Sequence, residues 1–335
     1  MKYFGIMCFL FLLSLSSIAQ DAHADLAKAF LNSLSAEQRS KAFYAFDNEE
    51  RYTWNFIPKK DRKGIWLKDL SEDQKTKGFA LLKHWVSKNG YEKIVGIMGL
   101  EDVLKQIEKH ETDWPRSQVN YAFTFFGEPS EEIPWGWRFE GHHVSFNFSS
   151  YKNRIESGLP SFLGTNPGRF ERDGKTVEIL KEESVLGFKL LGSLNDDQLK
   201  KAVFMDTAYD NVLIWNSRKA LEYEPKGVFF KELDKKQQKI FLELVNLYLD
   251  RYPAEYAKDL MKEIESAGIG ELRFAWGGYT KPTTSRVYYY RIKGPTILIE
   301  LENALNNANH VHTIIRDLLH DFGGDELMEH WKNSH

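Results

Sequence analysis

The sequence predicts an α+β fold assembled from two similar units, in each of which helices precede antiparallel strands. Three observations support this prediction: an internal repeat, helix-start signals at matching places in both copies, and aromatic-rich strand patterns that follow them. Of the 335 residues, 42% are hydrophobic, which is enough for a large core in one domain or in two coupled domains.

Four segments of the first half match four segments of the second half, in the same order. The pairs are SLSAEQRSKAFY (33–44) with SLNDDQLKKAVF (193–204), KGIWLKDLSEDQK (63–75) with KGVFFKELDKKQQ (226–238), YAFTFFG (121–127) with LRFAWGG (272–278), and WRFEGHHVSFNFS (137–149) with YRIKGPTILIELE (290–302). Four ordered matches are hard to explain by chance. They predict two helix-helix-β-hairpin units related by a pseudo-twofold axis, with antiparallel sheets packed against helices.

The repeat divides the chain into five segments. They are a signal peptide (1–19), a first repeat unit (20–150), a connector loop and helix (151–190), a second repeat unit (191–303), and a C-terminal strand and helix that carry histidines (304–335). The connector is rich in Gly, Pro and Asn and is long for a plain loop. A helix near 177–191, which carries Glu182 and Glu183, leads into the second unit.

Helix starts are predicted at four polar residues that each precede a Gln by three positions. These are Ser35, Ser71, Asn195 and Asp234. The helix after Ser71 is predicted to continue to Gly90, and the helix after Asp234 to stop before Pro253. Two strand hairpins follow, 120–127 with 135–148 and 271–277 with 286–301.

The N-terminus has the pattern of a secretory signal peptide. Lys2 precedes an apolar run from Phe4 to Leu15, and the small residues Ser17 and Ala19 precede a cleavage position at Gln20. The run is short for a membrane span, so we expect a periplasmic or secreted protein without stable membrane insertion. An uncleaved anchor is the alternative interpretation.

Composition excludes several kinds of chemistry. The only cysteine, Cys8, lies inside the predicted signal peptide, so disulfides, thiolate nucleophiles and Cys-ligated zinc are not expected in the mature chain. The full sequence has 45 basic and 48 acidic residues, and loss of Lys2 leaves 44 against 48, a net of −4. No basic stripe appears, so nucleic acid is not an expected partner.

Two adjacent histidines interrupt the strand pattern at 135–148. With this segment as one strand, His142 falls on the apolar face of Val144, and His143 falls on a polar face with Ser145 and Asn147. His143 is therefore the better site candidate, whereas a core role and a site role are equally open for His142. A bulge at Gly141 would exchange the two side chains.

A second histidine pair lies in HVHTIIR, residues 310–316, whose β-branched residues favour a strand. On a strand, His310 and His312 project from one face, which is a common way to offer two imidazoles to zinc, copper or iron. Polar residues facing water are the alternative. Arg316 shares that face and is a candidate substrate clamp, although a salt bridge to Asp317 or Asp321 is an open alternative.

The preferred hypothesis is an exported metal-dependent enzyme. Its metal ligands are His143, His310 and His312, with His142 as a fourth ligand or an outer partner. Glu300 or Glu183 completes the site or acts as a general base. Zinc suits a hydrolase, and copper or iron suits an oxidase. The alternative is a non-enzymatic periplasmic protein that binds a small ligand, such as a saccharide or a peptide, or an envelope protein.

The motifs WRFEGHHVSFNF, FLGTNP, YYRIKGPTILIELE and HVHTIIRD…DFGGDELMEHW together resemble the domain-of-unknown-function family numbered 3500, found in bacteria and fungi. The resemblance covers nearly the whole mature chain but implies no activity. It places the family's Gly-His-His stretch at Gly141–His143 and its His-x-His stretch at His310 and His312. Family members often have His where this chain has Lys293, which marks a departure at that position.

Overall fold

The computed structural model describes residues 22–108, 114–220 and 226–334, so the predicted signal peptide lies outside the described residues. The helices are α1 (Ala22–Ser33), α2 (Ala36–Ala42), α3 (Glu72–Trp85), α4 (Lys88–Glu108), α5 (Lys181–Ser193), α6 (Asp196–Ala202), α7 (Lys235–Leu249), α8 (Ala254–Ser266) and α9 (Gly324–Asn333). The strands are β1 (Phe43–Tyr44), β2 (Ile65–Trp66), β3 (Ala122–Phe126), β4 (Trp135–Gly141), β5 (Val144–Tyr151), β6 (Arg154–Ser157), β7 (Ser161–Thr165), β8 (Phe170–Arg172), β9 (Lys175–Val177), β10 (Val203–Met205), β11 (Val228–Phe229), β12 (Arg273–Gly278), β13 (Tyr288–Lys293), β14 (Ile297–Leu305) and β15 (His310–Asp317).

Within these ranges, 13 strands form one sheet with the order β1-β3-β4-β5-β7-β15-β14-β13-β12-β10. β2 pairs with β3, β6 with β5 and β11 with β12, while β8 and β9 form a separate hairpin. The pairs β1–β3 and β10–β12 are parallel, and the other pairs are antiparallel. The α+β prediction is confirmed, but one continuous mixed sheet replaces the purely antiparallel sheets that were expected.

Most helices pack on one face of the sheet, whereas irregular segments and helix α9 cover the other face. Alternate strand residues such as Phe146 and Ile299 pack into a large core with α1, α3, α4, α5, α7 and α8. On the opposite face, Ile314 packs against Trp54 and Ile214, which belong to two irregular segments. This second face carries the polar residues that the sequence singled out.

All four predicted helix starts are confirmed as capping boxes, at Ser35, Ser71, Asn195 and Asp234. In each box the polar cap accepts a hydrogen bond from the backbone N–H of the Gln three positions on, and that Gln side chain accepts from the backbone N–H of the cap. The Gln side chains also link neighbouring helix starts. Nε2 of Gln38 donates to Gln74 (3.1 Å), and Nε2 of Gln198 donates to Gln237 (3.0 Å).

The predicted end of the first long helix at Gly90 is wrong. Helix α3 ends at Trp85, and Gly90 lies inside the next helix, α4. A Cβ at Gly90 would lie 2.2 Å from the carbonyl oxygen of Arg251. Glycine is present because two backbones touch there, and not because a helix ends.

The two predicted hairpins are also corrected, because each second strand is folded back on itself. Residues 135–148 form β4 and β5, with His142 and His143 as the turn between Gly141 and Val144. In the second half, β13 and β14 turn at 294–296 in the same manner. The turn overturns the prediction that His142 shares the apolar face of Val144, because both histidines lie between the two strands.

The connector is more structured than predicted. It contains four strands, and β7 is inserted into the centre of the sheet between β5 and β15. Helix α5, which follows, is close to the predicted 177–191. No helix in the described ranges has both the length and the apolar composition needed to cross a membrane.

Candidate metal centre

Three imidazoles meet where the β4–β5 turn touches the start of β15. The Nε2 atom of His143 lies 2.8 Å from Nε2 of His310 and 3.2 Å from Nε2 of His312. His310 and His312 project from one face of β15 because side chains alternate along a strand. The predicted strand is confirmed, and the structure brings together histidines 167 and 169 positions apart in the chain.

The turn fixes His143 in an unusual backbone conformation. Its φ of +64° is uncommon for a residue other than glycine. Two backbone hydrogen bonds hold it: the His143 N–H donates to the Phe56 carbonyl (2.8 Å), and the His143 carbonyl accepts from the Gly164 N–H (2.8 Å). Local strain of this kind is found at functional sites, where the surrounding structure enforces it.

Gly164 on β7 leaves room for the rings. A Cβ at this position would lie 2.9 Å from Cδ2 of His312 and 3.0 Å from Cδ2 of His143. Gly164 is the direct cross-strand neighbour of His312. The cluster therefore requires glycine at position 164 as well as the three histidines that form it.

A buried carboxylate supports His312 from behind. Glu302 on β14 is the cross-strand neighbour of His312, and its Oε1 lies 2.5 Å from Nδ1 of the imidazole. A carboxylate at Nδ1 leaves Nε2 for a metal ion, which is the usual outer arrangement of a metal-binding histidine. Burial raises the pKa of the Glu302 carboxyl to about 8, and the nearby Asp210 adds to the rise.

Aromatic rings close the cluster on its far side. Phe56 and Phe162 stack face to face with centroids 3.7 Å apart. The His312 ring lies 5.3 Å from Phe162 and 6.2 Å from Phe56. This apolar wall, together with the sheet, leaves the three histidines only 4–9% exposed.

Burial keeps the three imidazoles neutral at physiological pH. It lowers the pKa of His143 well below the usual range, and neighbouring histidines add to the effect. Burial also lowers the pKa of His310 to about 2 and the pKa of His312 to about 3. Neutral imidazole is the form that binds metal ions.

His142 does not point into the cluster. Its ring stacks on His143 with centroids 3.8 Å apart, but its Nδ1 contacts Glu101 of α4 and lies 3.3 Å from Nη1 of Arg116. Arg116 in turn forms a two-point salt bridge with Glu108, at 2.8 and 3.0 Å. His142 is thus an outer neighbour of the three histidines.

Arg316 and Glu300 lie on the same face of the sheet as the cluster, but both bind main chain. Arg316 forms a salt bridge with Asp321 and donates to the carbonyls of Ser217 (2.9 Å) and Arg218 (3.0 Å). The Glu300 carboxylate accepts from the Ile214 N–H at 3.2 Å and also from Tyr289. Their backbone partners lie in the segment 212–218, and not at the histidines.

Glu183 lies on the opposite face of the sheet. Its Oε1 forms ion pairs with Lys93 (2.6 Å) and Arg251 (3.2 Å) in the core between the helices. Arg251 also donates to Thr313, which faces away from the histidines on β15. The predicted role of Glu183 in the histidine site therefore has no geometric support.

Among the described residues, a second group has ligand atoms within 4.8 Å of one another: Glu263, Asp317 and His320. Here His320 lies 3.2 Å from Glu263 and 3.6 Å from Asp317. The nearby carboxylates, Asp317 more than Glu263, raise the pKa of His320 to about 9. A proton is held there at neutral pH, so we interpret this group as an ion pair.

Sequence reasoning missed Glu302, Gly164 and Phe56. Glu302 was visible as an acidic residue on the polar face of its strand, but Glu300 had the same parity and the register of β14 with β15 was not known. Gly164 lies in the connector, which was not expected to enter the sheet. Phe56 lies in an irregular segment without a pattern that predicts its position.

The fold and the cluster together define a mixed α+β protein with a buried three-histidine group beside the centre of its sheet. The chain matches the family model described as "Protein of unknown function (DUF3500)" over residues 17–324, and it belongs to this family. The resemblance seen in the Gly-His-His and His-x-His motifs is thereby confirmed. No curated protein and no solved structure matches the chain.

Proposed function

We propose that this protein binds a transition-metal ion through Nε2 of His143, His310 and His312. The main observation in support of this proposal is that three neutral imidazole nitrogens converge on one point. Two nitrogens bound to zinc at 2.0–2.1 Å with a tetrahedral angle lie about 3.3 Å apart, close to the 2.8 and 3.2 Å separations here. Three protein ligands leave a further position for water or substrate, the arrangement typical of catalytic sites.

The chain's own residues would prepare the ion for chemistry. Glu302 lies beside Nδ1 of His312 and would help to orient this ligand, while the backbone of Phe56 holds the turn that presents His143. The Phe56–Phe162 stack excludes water from one side. A bound zinc ion supplies an activated water for hydrolysis, and copper or iron supplies redox chemistry for an oxidase. Imidazole ligands suit all three ions.

We further propose that the two halves are copies of one unit. The strand order runs outward in the same way on both sides of the β7–β15 pair. Equivalent hydrogen bonds support this relation: Gly164 N–H to the His143 carbonyl (2.8 Å) and Leu318 N–H to the Thr296 carbonyl (2.7 Å). The segments 20–150 and 191–303 would be the copies, and the connector 151–190 and the C-terminal 304–335 would supply the strands at the seam. The histidine centre would then lie beside the pseudo-axis.

Export to the periplasm or secretion is also a proposal. It is supported by the leader pattern of residues 1–19. The substrate would be a small molecule, a saccharide or a peptide.

Elemental analysis tests the metal proposal. Protein purified without chelator or affinity tag should contain about one transition-metal ion per chain. His310→Ala with His312→Ala should remove it, whereas His330→Ala, an exposed histidine on α9, should not. Glu302→Gln should weaken binding by roughly 10–100-fold, because outer carboxylates contribute that much. Wild-type protein without stoichiometric metal would end the proposal.

One observation favours a non-enzymatic role as the second candidate. An Nε2–H of His310 or His312 can donate to Nε2 of His143, so a proton can satisfy one of the two close contacts without a metal ion. The cluster would then stabilise the junction of β5, β7 and β15, in a protein that binds its ligand elsewhere. Thermal stability unaffected by added metal but raised by a sugar or peptide would support this alternative.

A further inference from the structure

The irregular segment 212–218 carries an aromatic side chain to the wall of the histidine centre. Val212 and Ile214 are buried beneath it, whereas Trp215 is only half-buried. The Trp215 ring meets the edge of Phe56 with centroids 4.9 Å apart. Phe56 is the ring that stacks on Phe162 beside His312.

Trp215 has a backbone conformation that such a residue rarely adopts. Its φ is +48°, in the left-handed region that favours glycine, and a bulky side chain makes this region more unfavourable. A segment that only had to cover the sheet would be served by glycine or asparagine at this position. Surrounding contacts must therefore hold Trp215 in this conformation, and the presence of tryptophan here suggests a role for its side chain.

The enforcing structure is a set of buried anchors on both sides of Trp215. Glu300 accepts the N–H of the preceding residue, Ile214, at 3.2 Å. Arg316 donates to the carbonyls of the following residues 217 and 218 at 2.9 and 3.0 Å. Asn216 donates from its side chain to the carbonyl of Trp54, at 3.0 Å, and so ties the segment to the other irregular covering segment.

These hydrogen bonds give a role to Glu300 and Arg316, which are buried on the same sheet face as the histidines but do not contact them. Glu300 and Arg316 are 0% exposed, and burying such groups is costly unless their partners are well placed. Here they fix the main chain around a half-exposed indole. The main chain on both sides of Trp215 is therefore held by buried hydrogen bonds.

We propose that Trp215 contacts the substrate of the metal centre, and that it favours substrates carrying an apolar ring next to their metal-binding group. This inference rests on the proposed metal function. Phe56 and Phe162 stack beside His312, and Trp215 packs on Phe56 at the half-exposed end of this aromatic row. The ring of a substrate would pack there in an edge-on or offset geometry. Glu300 and Arg316 are then positioning residues for Trp215.

A pair of metal-binding probes tests the inference. Benzohydroxamic acid and acetohydroxamic acid share the metal-binding group, and only the first carries an aromatic ring. Their dissociation constants are measured by calorimetry on full-length protein that carries the ion with which it is purified. The variants are Trp215→Ala, Trp215→Phe and, as a matched control, Trp331→Ala on α9.

We expect Trp215→Ala to weaken benzohydroxamic acid by about tenfold and acetohydroxamic acid by less than about twofold. Trp215→Phe, which keeps a ring, should retain most of the preference, and Trp331→Ala should retain all of it. An equal change for both probes, or no change, in protein that still holds its ion would overturn the inference alone. Wild-type protein that holds no ion and binds neither probe would remove the metal proposal together with it.

Discussion

At the scale of single residues, Gly164 controls whether three imidazoles can meet. The rings of His143 and His312 occupy the volume that a side chain at 164 would fill. Protein interiors are too densely packed to absorb an added methyl group at such distances without movement. Since Gly164 lies on a β-strand, its backbone would tolerate alanine, and the effect of a substitution is confined to these rings.

Gly164→Ala should therefore damage the centre more than the fold. We expect metal affinity to fall on the order of tenfold or more, because two ligands must move apart. Gly99→Ala on α4 is the matched control, since a Cβ there meets nothing within 4 Å. It should leave metal binding unchanged and stabilise the fold by about 0.5–1 kcal/mol. Metal titrations of both variants decide, and unchanged affinity in Gly164→Ala would refute the packing argument.

At the scale of elements, His320 joins the end of β15 to helix α8. It follows the strand and forms ion pairs with Asp317 of β15 and Glu263 of α8. Its pKa is raised from 6.5 to about 9, chiefly by the Asp317 carboxylate. A pKa above the unfolded value means that the stabilisation is complete below about pH 6.5 and is lost as the pH rises through about 9.

His320→Gln should accordingly lower the melting temperature at pH 6 and have little effect at pH 10. The effect should be modest, because His320 is half-exposed and solvent screens its ion pairs. In a Glu263→Gln background the difference at pH 6 should shrink. Thermal melts of the four proteins at both pH values test this, and a difference that persists unchanged at pH 10 would show that lost packing, and not charge, is responsible.

Elements with local signals could be predicted from the sequence, and those set by distant contacts could not. The four capping boxes lie within four consecutive residues each, so the sequence contains all of their partners. The turn at His142–His143 has no Asn-Gly or Gly-Gly signal. The alternating pattern of residues 135–148 runs through it, so the segment was interpreted as one strand. The entry of β7 between β5 and β15 is decided by pairing over more than 100 residues, which no local pattern records.

The same distinction applies to the centre. His310 and His312 share a face by strand alternation alone, so their pairing was predictable. The repeat alone gives only an expectation that His143 approaches His310 and His312, because this approach requires β7 and β15 to pair. Arg316 and Glu300 were singled out for their charge and position, but their partners lie in the irregular segment around Trp215, which no periodicity predicts.

At the scale of the whole molecule, one sheet and one large core run through both halves. The core contains Leu81 of α3 and Leu244 of α7, which occupy matching places in the two halves and are both fully buried. The β5–β7–β15–β14 pairings join the halves without a gap. We expect the halves to unfold together.

Leu81→Ala and Leu244→Ala test this expectation as a matched pair. Each should destabilise the protein by about 2–5 kcal/mol, since each removes a buried leucine. Each should shift one common transition, detected identically by far-ultraviolet and near-ultraviolet circular dichroism. Two separate transitions, with each variant moving a different one, would mean that the halves are independent units.

The long separation between the clustered histidines has a consequence for the order of events in folding. His143 is 167 residues from His310 along the chain, and we expect the two to meet only once β7 and β15 pair at the middle of the sheet. Such late, costly closure cannot nucleate the fold. A zinc finger needs its ion in order to fold. We expect this protein, in contrast, to bind its proposed ion only after the sheet has formed.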